Sequence, residues 1–160
     1  NIDNTQIYGA EVNYKGKFDN MFTNNDSVNT YASLFWSKGE NKDTNQPIND
    51  IDPSTLLLGA QWSNSNEKIS LALNANIVRA KSEIDDPSNV LVKTTGYATF
   101  DFIANAYIDK QLTLSAGVYN LTDRQYWQWS NVKGFDATDP LLESLVAAGI
   151  NGSLQLKYMW

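Results

Sequence analysis

Seven stretches of this chain alternate apolar and polar side chains with a period of two, the spacing that puts every second residue on the same face of a β-strand. In the first, Tyr8, Ala10, Val12, Tyr14 and Phe18 share one face, while Gly9, Glu11, Asn13, Lys15 and Lys17 share the other. The second sets Ala32, Leu34 and Trp36 against Tyr31, Ser33 and Ser37, and the third sets Leu56, Leu58, Ala60 and Trp62 against Gly59 and Gln61. Ile69 to Ile77, Ala98 to Ala106, Leu112 to Val118 and Leu154 to Trp160 repeat the pattern, each bounded by Gly, Asn, Asp, Ser or Pro. A chain written this way is all-β and antiparallel.

Alternation alone leaves two architectures open. A soluble barrel or sandwich turns the apolar face inward, and a transmembrane barrel turns it outward to lipid. Strand length and loop pattern favour the second. Stretches of about 9 to 12 residues match the ~9–11 that a tilted strand needs to cross a bilayer, and soluble strands average about half that. The connections also alternate: the runs Asp19 to Ser27, Ser63 to Glu67 and Asp109 to Gln111 are short, whereas Gly39 to Pro53, Ala80 to Thr95 and Thr122 to Asn151 are long. Short turns on one side and long loops on the other are the build of an outer-membrane barrel, with the short side periplasmic. Odd-numbered strands then descend to the periplasm. Phe18, Trp62 and Trp160 fall at lower ends and Tyr8 and Trp36 at upper ends, so Phe18, Trp36, Trp62, Tyr158 and Trp160 are expected in the two aromatic girdles at the membrane surfaces.

Composition narrows the function. No run approaches the ~18 consecutive apolar residues of a membrane helix. Cysteine and histidine are both absent, which removes disulfides, thiolate chemistry, Ser-His-Asp triads and the commonest metal ligand. A net charge of −6 argues against binding nucleic acid. No catalytic residue, resident cofactor or metal site is expected: Asp85, Asp86, Asp136 and Asp139 lack calcium-loop spacing and read as solvated loop charge. The opening Asn1-Ile2-Asp3-Asn4 has neither a basic start nor an apolar segment, so it reads as the interior of a longer chain. Seven strands cannot close a bacterial barrel, whose strand number is even and at least about eight. Either the 160 residues are part of a larger barrel, or an eighth strand is hidden, for instance within Thr122 to Val132.

The segment Gly117-Val-Tyr-Asn-Leu-Thr-Asp-Arg-Gln-Tyr126 resembles the v-x-N-L-x-D-x-x-Y signature near the end of TonB-dependent receptors. Its continuation, Tyr126-Trp-Gln-Trp-Ser-Asn-Val-Lys133, resembles the Y-W-x-W-S-x-V-R of the haem and haemoglobin receptor branch. Ile7-Tyr-Gly-Ala-Glu11 is similar to that branch's I-x-G-x-E, and Ser37 to Pro53 to its x-x-G-x-x-x-x-T-x-x-P-L-x-x-I-x-P. One departure is Ala148-Gly-Ile-Asn151, where the family carries a Pro-Gly-Arg-Asn-like turn before its last strand.

The resemblance implies that residues 1–160 are the C-terminal strands of a barrel of about 22, with the plug and earlier strands outside them. It implies a bacterial outer-membrane receptor that imports haem from haem or haem proteins. Its partners would be the rest of the barrel and the plug, TonB acting through the plug, and outer-membrane lipid. Lumen-facing Glu11, Asn13, Lys15 and Lys17 would meet plug or channel water. Tyr126, Trp127, Trp129 and Phe135 in the last outer loop are the candidate ligand surface, since aromatics stack on porphyrin and a tyrosinate can ligate haem iron; the stronger reading of Tyr126 and Trp127 is a strand continued above the membrane. Asp139 to Gly149 reads as a short helix with an Asp N-cap, Pro in the first turn and a Gly C-cap. The remaining alternatives are a siderophore receptor of the same family, a small self-contained outer-membrane barrel with a structural or adhesive role, and a soluble lipid-binding barrel with Leu112, Leu114, Ala116 and Val118 facing a cavity.

Overall fold

The computed structural model describes residues 4–160. The seven stretches form strands β1 (Thr5–Asp19), β2 (Ser27–Asn41), β4 (Thr55–Ser63), β5 (Ile69–Val78), β6 (Tyr97–Tyr107), β7 (Leu112–Tyr119) and β8 (Asn151–Tyr158), each antiparallel to its neighbour in the order β1-β2-β4-β5-β6-β7-β8. An eighth strand exists, but not within Thr122 to Val132. It is the two-residue β3 (Gln46–Pro47), which pairs with Glu40 and Asn41 at the end of β2. This pairing, with Thr5↔Asn41 and Gln6↔Glu40 on the other side, carries β2 past Gly39, where the alternation ends, to Asn41. The array is an open sheet: among the described residues β1 and β8 each pair on one side only.

Register decides which face is which. The apolar positions line up across every ladder, for example Phe18↔Val28, Val28↔Trp62, Trp62↔Leu71, Leu71↔Ala104, Ala104↔Ala116 and Ala116↔Leu154. This face is bare: Val12 is 60% exposed and Leu154 76%. On the opposite face the polar residues of the central strands are the enclosed ones, with Ser70 at 2% and Thr99 at 6%, while those of β1 and β8 at the open edges are exposed. A water-soluble sheet does the reverse, so the inversion is that of a lipid-facing wall around a polar lumen. Leu114 pairs with Ala106 and Leu156 on the bare face, which overturns the soluble lipid-binding barrel and its apolar cavity.

The buried apolar cluster lies among the loops rather than on the sheet. Val92, Trp129, Val132 and Leu142 are buried together, with Ile84, Trp127, Phe135 and Leu145 packed against them. They belong to two of the three long connections: residues 79–96, between β5 and β6, and residues 120–150, between β7 and β8. The latter holds the one-turn helix α1 (Trp129–Val132) and a 3-10 turn, Pro140–Leu145. Asp139 caps that turn as expected, its carboxylate accepting the Leu141 N–H at 2.9 Å. The chain then extends at Val146, so Gly149 is not the C-cap. Burying Leu142 and Leu145 takes only this one short run.

Candidate functional site at the mouth of the sheet

The long loops gather at one end, where the strands open, and the exit from β7 organises them. Asn120, in the left-handed region at φ 50°, is 5% exposed and uses its whole amide group. Its Nδ2 donates to the carbonyls of Arg124 (2.9 Å) and Ala148 (3.0 Å), and its Oδ1 accepts the Arg124 N–H (3.0 Å). Its own N–H donates to Asp101 on β6 at 2.8 Å. Three residues on, Asp123 accepts the Ile150 N–H at 2.8 Å, beside Gly149, where a Cβ would sit only 2.3 Å from that carboxylate oxygen. The N-L-x-D pattern is thus a clasp that holds the outgoing and returning ends of the last loop together. The Arg124 and Ile150 amides bond into this clasp, and beyond it Tyr126 and Trp127 do not continue β7 as a strand; the Tyr126 carbonyl instead accepts the Ala147 N–H at 2.9 Å.

The second tier joins the three loops. Asn49, in the loop of residues 42–54, exchanges two hydrogen bonds with Asp85 of the next loop, its Nδ2 donating at 2.9 Å and its Oδ1 accepting at 2.7 Å. The backbone carbonyl of Asn49 accepts the indole N–H of Trp129 at 2.8 Å. Loops 79–96 and 120–150 are stitched by Val92 N–H to Phe135 O (2.9 Å) and Ala137 N–H to Val90 O (2.8 Å). Lys133 reaches Asp50 at 2.5 Å, which holds the carboxyl below and the ammonium above their ordinary values. Lys81 lies 5.7 Å from the Trp129 ring centre, and its burial pulls its pKa down against the opposing pull of Asp52 and Glu83.

All four predicted ligand aromatics sit in this tier, and they meet protein. Trp129 is 3% exposed, Trp127 donates to the Leu142 carbonyl at 2.8 Å, Phe135 packs on the cluster, and Tyr126 stacks on Tyr97 at 3.8 Å between ring centres. Their close grouping in sequence reflects a small core that braces the loops. Asn49 and Asn120, which do most of the joining, were not singled out as site residues. Asn120 lay within the quoted signature, whereas nothing local marks Asn49.

Below the cap, the polar face carries Glu11, Asn13, Lys15 and Lys17 on alternate positions of the edge strand β1, all four exposed. Asn13 donates to Glu11 at 2.7 Å, and Lys17 pairs with Asp19 at 3.1 Å. Lys15 and Lys17 border a trough of ~660 Å³ floored by Asn29, Tyr31, Gln61 and Asn74. Higher up, Leu57, Val78 and Tyr97 interrupt the polar pattern of this face where a smaller gap separates them from Trp129 and Gln128. Of the expected girdle residues, Phe18, Trp36, Trp62 and Tyr158 have the register of the bare face, with Trp36 edge-on to Tyr8 at 5.7 Å.

A bare apolar wall, an opposite polar face and short turns opposite long loops agree with the match that the sequence makes to a family profile, "TonB dependent receptor-like, beta-barrel", over residues 1–121. The chain belongs to this family. Among curated relatives it is 28% identical over 165 residues to "Probable hemoglobin and hemoglobin-haptoglobin-binding protein 4" of Haemophilus influenzae, an alignment spanning 94% of the chain and 16% of that protein. It is 28% identical over 157 residues to "Hemoglobin and hemoglobin-haptoglobin-binding protein" of Haemophilus ducreyi, spanning 83% of the chain and 16% of that protein. The chain therefore spans about one-sixth of the length of these relatives. The copper transporter OprC superposes with a TM-score of 0.79 at 21% identity, covering 99% of this chain and 24% of that one, a likeness of fold. The clasp at Asn120 and Asp123 straddles the end of the family match, and the braced last loop lies beyond it.

Proposed function

We propose that these residues form part of the wall and outer rim of an outer-membrane receptor that takes up haem from haemoglobin or related haem proteins, driven by TonB through a plug supplied by the rest of the protein. The observation that carries this reading is the reach of the similarity. The alignment to the haemoglobin-binding relative covers 94% of the chain, a span that cannot omit the long loops where a protein ligand would be met. In this reading the segment transports rather than catalyses. Glu11, Asn13, Lys15 and Lys17 face plug or channel water. Phe18, Trp36, Trp62, Tyr158 and Trp160 sit at the membrane surfaces. Tyr126, Trp127, Trp129 and Phe135 act by holding the cap in shape, and the ligand meets its exposed surface.

The test is growth. The complete receptor is expressed in a bacterium that cannot make haem and lacks other haem receptors, and the cells are given haem, haemoglobin or a ferric siderophore. Growth on haemoglobin that disappears when TonB is deleted is the expected result. Rescue of iron starvation by a siderophore, with no growth on haem or haemoglobin, would replace the haem reading with its siderophore alternative.

A further inference from the structure

The short turn between β1 and β2, residues 20–26, is built around one carboxylate. Asp26 is 1% exposed, and its oxygens accept N–H groups from Met21 (2.8 Å), Phe22 (3.1 Å) and Thr23 (3.1 Å) and from the Trp62 indole (2.8 Å). Burial alone would raise its pKa, but these four bonds, led by that from Trp62, hold it below the ordinary carboxylate value. Asn20 and Asn25 adopt left-handed conformations at φ 60° and 64°, and the Asn25 N–H donates to Asn20 Oδ1 at 2.7 Å. The turn is therefore braced from within.

The brace also sets the direction in which the turn leans. Trp62 lies opposite Val28, which in turn lies opposite Phe18, so the indole belongs to the bare apolar face. Because Asp26 bonds both that indole and the Phe22 amide, the turn is drawn toward this face. At its tip stand two apolar side chains, Met21 and Phe22, the latter 71% exposed. The neighbouring short turn at residues 64–68 carries Asn64, Ser65, Asn66, Glu67 and Lys68 and has no apolar tip.

We propose that Met21 and Phe22 form a lipid anchor, inserting into the interfacial zone of the leaflet on the short-turn side, with Asp26 as the brace that aims them. The occupant is lipid because the tip continues the apolar band through Trp62 and Phe18, and an amphipathic boundary zone accepts large apolar side chains beside an indole. The proposal rests on the membrane-wall reading.

The test uses nitroxide labels, which the cysteine-free chain permits. Thr23→Cys, Ser65→Cys and Leu73→Cys are labelled singly in the complete receptor, with any cysteines elsewhere in it replaced, in phosphatidylethanolamine/phosphatidylglycerol vesicles. Collision rates with oxygen and with a water-soluble nickel chelate are then compared. The oxygen-to-nickel ratio at position 23 should be several-fold above that at 65 and below that at 73, and Met21→Ser with Phe22→Ser should bring it down to the value at 65. A position 23 that matches 65 from the start, or that is shielded from both reagents by a protein partner, overturns the anchor. If the label at 73 itself reads as water-exposed, the membrane wall is the reading that fails.

Discussion

Removing the Trp129 ring should loosen three loops at once. The indole is buried among Val92, Val132 and Leu142, and its N–H satisfies the Asn49 carbonyl. Truncating a buried aromatic to Ala costs about 3–5 kcal/mol, and leaving the carbonyl without its donor adds about 1–3 kcal/mol where water cannot reach it. Taking the low end, about 3 kcal/mol, local opening becomes roughly a hundredfold more frequent. Hydrogen exchange measured by mass spectrometry on the receptor in detergent reads this through amides that cross between loops: Asp85 to Asn49, Val92 to Phe135 and Ala137 to Val90. In Trp129→Ala all three should exchange about a hundredfold faster, while amides within β4 to β6 keep their protection. Trp129→Phe, which keeps a buried aromatic ring but loses the N–H, should give roughly a five- to tenfold increase for about 1 kcal/mol. Faster exchange confined to residues 120–150, with Asp85 unchanged, would refute the idea that the loops form one unit.

Other substitutions separate the two faces and test the clasp. Leu73→Lys on the bare face should destabilise the folded barrel in vesicles by about 2–4 kcal/mol in a urea titration, whereas Gln61→Lys, exposed on the polar face of β4, should fall within about 0.5 kcal/mol. Asn120→Ala removes three side-chain hydrogen bonds and should cost about 2–3 kcal/mol at roughly 1 kcal/mol each, seen as faster proteolysis of residues 120–150. Gly59→Ala places a Cβ 2.1 Å from the Tyr31 ring; it should displace that ring, break the Tyr31–Asn74 bond and cost about 1–3 kcal/mol in the same urea titration. The Lys133–Asp50 contact should respond to pH at both ends. The carboxyl is depressed, so its contribution is present above 3.8 and fades as pH falls through the lower folded value. The ammonium is raised, so its contribution is present below 10.5 and fades as pH climbs through the higher folded value. The distance distribution between spin labels at Thr44 and Asn131 should be narrowest between these limits, and only modestly so, because the pair is exposed.

The strands were legible because a strand's face is a local property. Two residues of spacing decide which side a side chain takes, and neighbours in register then inherit the decision, so the bare wall from Val12 to Leu154 could be read before any pairing was known. The loops were not legible in the same way. Trp129 is buried against Val92, 37 residues earlier, and donates to a carbonyl 80 residues earlier, and Asp26 owes its fourth bond to an indole 36 residues later. In sequence Asp26 is one polar residue in an Asn-rich turn, and Trp127 and Trp129 are aromatics in a polar loop. Long-range partners assign them their work. The same cause explains Leu57, Val78 and Tyr97, apolar residues on an otherwise polar face: they border the gap beneath Trp129, so the alternation yields where the cap sits over the lumen.

Bracing has a consequence for how a rim of this kind meets a ligand. Separate flexible loops must lose conformational freedom on binding, at about 0.5–1.5 kcal/mol for each mobile side chain fixed in place, and that loss is subtracted from the contact energy. Here much of the ordering is internal, supplied by the Trp129 core, the Asn49–Asp85 exchange and the Asn120 clasp. Affinity would then depend on what the braced surface displays, such as exposed Val90, Leu141 and Val146, and less on the buried aromatics. The two groups are physically separable, since an exposed side chain can change the contact without disturbing the brace, whereas a change at Trp129 alters the brace and, through it, every contact the surface makes.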